Sequence, residues 1–258
     1  MGQSINVHNR AQRMKTRTGR RAFLYRIEIN TPAFENLIIL TLDQPDKTIE
    51  KLKVGTLIGD QEDIERRKQL SSAALVKLKN VWLKGDKITK ITKLKLYKAL
   101  VKSVLTYNCG TWAPTQSQEE RLNAFHRKQL KKVLNIKYPV KITNSSLYNK
   151  CNERPLSIFI LESRWRLFGH ILRRDSQIPA NQAMSGYFVT EGSKFKGRPL
   201  TTLPVVLNRD LSRIIYSNLQ LKSSHDLEHL RSIAQQRDEW TKLTARIREA
   251  AEASQSEH

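Results

Sequence analysis

Apolar residues recur every three or four positions through most of the chain after Asp60, a spacing that predicts a mainly helical protein. The clearest repeat predicts one apolar stripe made of Ile158, Leu161, Trp165, Phe168, Ile171 and Leu172, with Glu162, Arg166, His170 and Arg173 on the opposite side. Three weaker repeats predict earlier helices, with inward residues Ser71, Ala74, Leu75, Leu78, Val81 and Trp82, then Leu94, Tyr97, Val101 and Val104, then Leu122, Phe125, Leu130 and Val133.

Capping and breaking residues set the predicted helix ends. Asp60 or Asp63 can begin the first helix, Gly85-Asp86 ends it, and Ser117 with Glu120 has the spacing of a capping box. A short helix is predicted around Ser145 to Cys151, and Pro155 suits the first turn of the next one. Two more helices are predicted near Leu203 to Tyr216 and Gln236 to Ala253, the second with Trp240, Leu243 and Ile247 as its stripe.

The first 60 residues have a different pattern. Residues 1–21 are polar and basic, which predicts a mobile arm, and the runs FLYRIEI, NLIILTLD and KTIEKLKVGTLIGD are separated by prolines and predict strands. The predicted organisation is an arm at 1–21, a small antiparallel β unit at 22–60, a helical bundle at 61–136 and a helical extension at 137–258. Glycines and cations at 185–199 predict a basic loop within that extension.

The charge balance narrows the choice of partner. Forty-six Lys and Arg against 24 Asp and Glu give a net charge of +22, which attracts polyanions. The cations are spread over several helices without a concentrated apolar face, so RNA and DNA are favoured over a membrane surface. Two cysteines exclude a disulfide framework or a cysteine-rich zinc module and suit a reducing compartment. With no secretory signal or membrane-spanning run visible, we expect an intracellular protein of the nucleus or cytoplasm.

The candidate contact residues are the cations that helical spacing places away from the core. They are Lys95, Lys98 and Lys102, then Arg121, Lys128 and Lys132, then Arg166, His170, Arg173 and Arg174, and in the basic loop Lys194, Lys196 and Arg198. Any single stripe of this kind can be an ordinary solvated face. Several stripes with few balancing acids favour phosphate contact, which gives affinity that depends on salt and little on sequence.

Catalytic and metal-binding patterns are missing from the sequence. Template-directed polymerisation needs closely placed carboxylates for two divalent metals, and no Asp-Asp pair occurs. Isolated acids such as Asp60, Asp63, Asp175 and Asp210 are interpreted as caps or salt-bridge partners. His126 and His170 have no ligand partner at a zinc spacing, so we expect solvated or capping histidines, with phosphate or base contact as an alternative for His170. We therefore predict no catalytic residue, metal or cofactor in this chain.

Three linked blocks carry a family resemblance: TKLKLYKALVKSVLTYNCGTW from Thr92, EERLNAFHRKQLKKVLNI ending at Ile136, and ESRWRLFGHILRRD from Glu162. In this order and spacing they resemble the region downstream of the polymerase site in LINE-type (non-LTR) retrotransposon reverse transcriptases. LKVGTLIGD resembles the hairpin that follows the palm of those enzymes, which makes Val54, Gly55 and Leu57 primer-grip-like, although Val54 replaces the usual tyrosine or leucine. FKGRP at Phe195 to Pro199 resembles a basic motif near the end of those polyproteins.

The resemblance implies the end of a palm, a thumb-like helical bundle and a carboxy-terminal helical extension, without the aspartates that bind Mg²⁺ in the full-length enzyme. Such a fragment would clamp template and primer and would be inactive as a polymerase by itself. Two alternatives stay open: a decayed retroelement product with no selected role, and a basic protein associated with a ribonucleoprotein. The sequence leaves the oligomeric state open.

Overall fold

The computed structural model describes five strands, within residues 10–57, and residues 60–79, 88–189, 201–214 and 218–256. The chain divides into two compact units, residues 1–63 and residues 64–258. Each unit is described by itself.

The first unit contains short antiparallel strands. Strands β1 (Arg10–Lys15), β2 (Arg21–Arg26) and β3 (Ile38–Leu42) pair in that order. Strands β4 (Leu52–Lys53) and β5 (Thr56–Leu57) form a separate hairpin. β1 lies inside the stretch for which the sequence predicts an arm, and the division into an arm at 1–21 and a β unit at 22–60 stays a prediction.

The second unit is mainly helical, as the spacing of apolar residues predicts. Its helices are α1 (Asp60–Lys77), which begins at the end of the first unit, α2 (Lys90–Tyr97), α3 (Ser103–Leu105), α4 (Gln116–Val133), α5 (Asn144–Cys151), α6 (Leu156–Leu172), α7 (Pro179–Val189), α8 (Leu203–Leu211), α9 (Ser224–Gln235) and α10 (Arg237–Ser256). A π-helical turn, Lys98–Lys102, joins α2 to α3, and Cys109–Thr111 form a short 3₁₀ turn.

Helix α6 lies at the centre of this unit. The predicted stripe is confirmed for Ile158, Leu161, Trp165, Phe168 and Leu172, which are almost completely buried. The largest hydrophobic cluster joins this stripe to residues of α7, α8, α9 and α10, including Leu207, Leu230, Trp240 and Ile247. Leu156 and Ile160 face a second cluster with Leu105, Trp112 and Leu122. Because α6 is covered on both of these sides, its non-polar surface is much wider than one stripe.

A third cluster joins the earlier helices. Tyr97 and Val101 pack with Leu130 and Val133 of α4 and with Leu147 of α5. A chain of hydrogen bonds runs beside it: the Tyr97 hydroxyl donates to Gln129 Oε1 at 2.9 Å, and Gln129 Nε2 donates to Ser71 Oγ at 3.1 Å. Hydrogen-bonded polar groups in the interior therefore tie α1, α2 and α4 together.

Several predicted helix limits are wrong. Helix α4 starts two residues earlier than predicted, because Thr115 and Gln118 form the capping box in place of Ser117 and Glu120. Helix α8 ends at Leu211, with turn residues after it, and does not continue to Ile214. Helix α9 was not predicted, and α7 continues to Val189, so residues 185–189 of the predicted loop are helical.

Candidate nucleic-acid interface

Helix α4 presents one continuous basic face. Its inward positions Leu122, Leu130 and Val133 are at most 1 % exposed, and this fixes the rotation of the helix. Arg121, Lys128 and Lys132 are exposed on the other side, as predicted. On this face, no hydrogen bond or ion pair within the described residues engages any of the three side-chain charges. They span eleven positions of the sequence, a rise of about 16 Å along the helix.

Of the predicted stripe Lys95, Lys98 and Lys102, one residue faces solvent and the other two contact a carboxylate. Lys95 is exposed. Lys98 and Lys102 both contact Glu153, at 3.3 Å and 2.6 Å, and Lys102 also lies over the ring of Phe159. Burial raises the pKa of Glu153, but the hydrogen bond and charge of Lys102 outweigh this effect and hold that pKa below its usual range. Lys102 therefore stabilises the fold, and Lys95 is the cation of this stripe that is open to a ligand.

The next predicted group lies at the carboxy-terminal end of α6, with Arg166 and His170 inside the helix and Arg173 and Arg174 directly after it. Arg166 and His170 are exposed, and the Arg174 Nε donates to His170 Nε2 at 3.3 Å. Arg173 is half-buried and donates to the carbonyl oxygen of Ala234 at 3.3 Å, at the end of α9. Within the described residues, no hydrogen bond or ion pair joins this group to the predicted cations of α4.

Some predicted site residues lie outside the described residues. Lys194, Lys196 and Arg198 of the basic loop are among them, as are Val54 and Gly55 of the primer-grip-like hairpin. Leu57 belongs to strand β5, and only its backbone is described. The assignments of these residues stay predictions.

His126 corrects an expectation. It is not a solvated or capping histidine but is completely buried, 5.9 Å from the ring of Tyr97 and 6.2 Å from that of Tyr148. Burial lowers its pKa to about 4, so the ring is neutral at pH 7. His126 follows Leu122 by four residues and precedes Leu130 by four, so its inward position could be read from the spacing, and the rarity of buried polar residues led to the wrong expectation.

Asp210 is confirmed as a salt-bridge partner, in a buried cluster that the sequence analysis did not find. Its Oδ2 accepts hydrogen bonds from Arg164 Nη1 and Trp165 Nε1, both at 3.1 Å. Arg209 and Arg213 connect the cluster to Glu119 of α4. Arg164 follows Leu161 by three residues and precedes Phe168 by four, so its inward position could be read from the spacing.

Two further cations escaped the sequence analysis, which considered only the apolar stripe of α10. Arg237 and Arg248 lie on this helix beside Arg166 of α6 and Arg173 directly after it, and line the same groove. Because they are eleven residues apart, or three helical turns, the sequence could have shown that they lie on the same face of the helix. The structure therefore brings together two predicted cations and two that were missed.

The described residues contain no group of three or more histidine, cysteine, aspartate or glutamate side chains that could hold a metal ion. No helix in the same residues is long and apolar enough to cross a bilayer.

Comparison of the chain with protein-family models, with curated proteins and with solved structures finds no match in any of the three.

Proposed function

We propose that this chain binds RNA and DNA through their phosphates, with little dependence on sequence, as a non-catalytic part of a LINE-type reverse transcriptase. The observation that carries the proposal is the set of exposed cations on a well-packed helical scaffold: Lys95, Arg121, Lys128, Lys132 and Arg166. No ion pair within the described residues uses any of these side chains, so a polyanion can bind them without breaking existing contacts.

The scaffold favours a clamp over a base-reading module. Each exposed cation is fixed by a neighbouring core residue, as Lys128 and Lys132 are by Leu130 and Val133. Helices held in this way keep their charges at set positions along a strand. Lys and Arg side chains that contact only phosphates position a nucleic acid and carry no direct sequence information.

Binding should depend steeply on salt. We expect labelled mixed-sequence RNA and duplex DNA to be retained in filter binding at about 50 mM salt and largely released by about 200 mM. Changing Arg121, Lys128 and Lys132 together to Gln should weaken binding of all sequences alike. It should also lower the slope of log affinity against log salt by up to about one unit for each lost contact.

The control keeps the charge. Lys128→Arg with Lys132→Arg should bind at least as tightly as the unchanged protein, because arginine keeps the positive charge and can donate twice to a phosphate. Absence of retention at low salt, or retention indifferent to salt, would overturn the proposal. Primer extension with Mg²⁺ and the chain alone should stay at background, and extension above it would contradict the non-catalytic part.

A further inference from the structure

We propose that the groove between α6 and α10 binds consecutive phosphates of a single polynucleotide strand. This inference rests on the proposed function and deepens it by naming a site. The groove has a volume of about 410 Å³. That volume lies in the range of small-ligand sites and is too small to enclose a duplex.

The two helices run in opposite directions along the groove. At one end Arg248 Nη1 lies 3.8 Å from Glu162, and at the other Arg173 reaches the carbonyl oxygen of Ala234, three residues before Arg237. Between these ends Gly169 allows Trp240 to pack against α6, and the Trp240 Nε1 donates to the carbonyl oxygen of Trp165 at 3.3 Å. The floor of the groove is therefore rigid.

The lining is strongly cationic. Arg166 comes from α6 and Arg173 from the residue directly after it, and Arg237 and Arg248 come from α10. Glu162 is the acidic residue of the lining, and Arg154, from outside it, binds both Glu162 oxygens at 3.0 Å and 3.3 Å. Because Arg154 already neutralises this carboxylate, the four arginines give the groove its electrostatic character.

The arginines divide into anchored and available groups. Arg173 donates to Ala234, and Arg248 contacts Glu249 at 3.3 Å while its Nε is shielded and has no hydrogen-bond partner within the described residues. Arg166 and Arg237 are exposed, and no hydrogen bond or ion pair within the described part of the chain engages either guanidinium.

Guanidinium groups are also the donors that suit the ligand. The hydroxyls of Thr241 and Thr244, which line the groove, already donate to the carbonyl oxygens of Arg237 and Thr241. A phosphate must therefore be bound by the arginines. Arginine binds phosphate oxygens with two parallel N–H donors, a geometry that lysine cannot reproduce.

The test compares two double variants that each remove two positive charges. Arg166→Gln with Arg237→Gln empties the groove of its available cations. Lys242→Gln with Arg246→Gln changes exposed residues on α10 that line a different depression. Affinity for a labelled single-stranded RNA of mixed sequence is measured by fluorescence anisotropy over a range of salt concentrations.

We expect the groove variant to lose about tenfold or more in affinity, with a salt slope lower by up to about 1.4, and the control variant to lose much less. Both should melt as the unchanged protein does in circular dichroism, since all four side chains are exposed. Arg166→Lys with Arg237→Lys should recover only part of the affinity.

Two failures are distinguishable. Equal losses in the two double variants would overturn the groove as a site and leave general phosphate binding in place. Absence of RNA binding by the unchanged protein would overturn the proposed function and the groove together. Equal competition by inorganic phosphate and by unlabelled RNA, at matched phosphate concentration, would show a site for single phosphates and overturn the assignment to consecutive ones.

Discussion

His126 has no exposed surface, and neither of its ring nitrogens has a hydrogen-bond partner within the described residues. Burial opposes protonation and lowers its pKa to about 4, against about 6.5 in an unfolded chain. Between these two values the unfolded state binds a proton that the folded state does not. The free energy of unfolding should therefore fall as pH drops from about 6.5 to about 4, by about 3 kcal/mol in total from this residue, and this contribution should level off below that.

His126→Phe isolates the effect, because it keeps a ring beside Tyr97 and removes the titration. Urea unfolding at about pH 7 and about pH 4.5 should show a smaller loss of stability for this variant than for the unchanged protein. Glu153 is present in both proteins, so the difference between the two profiles belongs to His126 and to its coupling with that carboxylate. Identical profiles would contradict the prediction.

Asp210 holds the charge of Arg164 where neither side chain has any exposed surface. Removing one member of such a pair leaves the other charge buried without compensation. Asp210→Ala should therefore destabilise the fold by about 3–5 kcal/mol in chemical denaturation. Glu239→Ala, which breaks the exposed pair with Lys242, should leave the transition nearly unchanged. A similar small loss for both would mean that the buried cluster contributes little to stability.

At the scale of elements, the contact between α6 and α10 depends on Gly169. A Cβ added to Gly169 would lie 2.6 Å from Cε2 of the Trp240 indole, which is too close for two carbon atoms. A Cβ added to Gly186 of α7 would meet nothing within 4 Å. Gly169→Ala should cost about 1–3 kcal/mol through overpacking. Gly186→Ala should be neutral or stabilise by up to about 1 kcal/mol, because alanine favours helix. Thermal unfolding of the two variants measures the contrast, and equal effects would contradict it.

The helices that the sequence predicts best are α6 and α10, whose apolar residues recur clearly at helical spacing. Helix α7 was missed because Pro179, Ser185 and Gly186 weaken its helical signal, and tertiary contacts determine it. The Asn181 side-chain amide donates to the carbonyl oxygens of Ile171, Arg174 and Asp175, and this fixes the turn before the helix. No local pattern specifies contacts of that kind.

Helix α9 was missed although its signals were present. Ser223 and Asp226 form a capping box, and Leu227, Leu230 and Ala234 follow at helical spacing.

For the candidate site, spacing identified which cations point outward. It could not show that Lys102 is paired, because Glu153 lies 51 residues away. Pairings between distant segments depend on the fold and are not contained in the pattern of one helix.

On the scale of the whole molecule, the hydrophobic clusters and the proposed binding cations belong to one unit. Among the residues whose burial the structure describes, the three hydrophobic clusters lie at Ile64 and beyond, and the exposed cations named in the proposals lie on helices of the same unit. A net charge of +22 is repulsive, and a polyanion that binds the folded chain relieves that repulsion. Bound RNA should therefore stabilise this unit.

A chain of residues 60–258 tests whether the second unit is sufficient. It keeps α1 whole and all members of the three clusters, so it should unfold in one cooperative transition and bind RNA with the salt dependence of the full chain. A matched shorter chain, 60–236, loses Trp240, Leu243, Ile247 and Ala251 from the largest cluster and both groove arginines of α10. It should lose the cooperative transition and most of the affinity. If the longer chain fails to fold cooperatively, the prediction that residues 60–258 are sufficient is wrong.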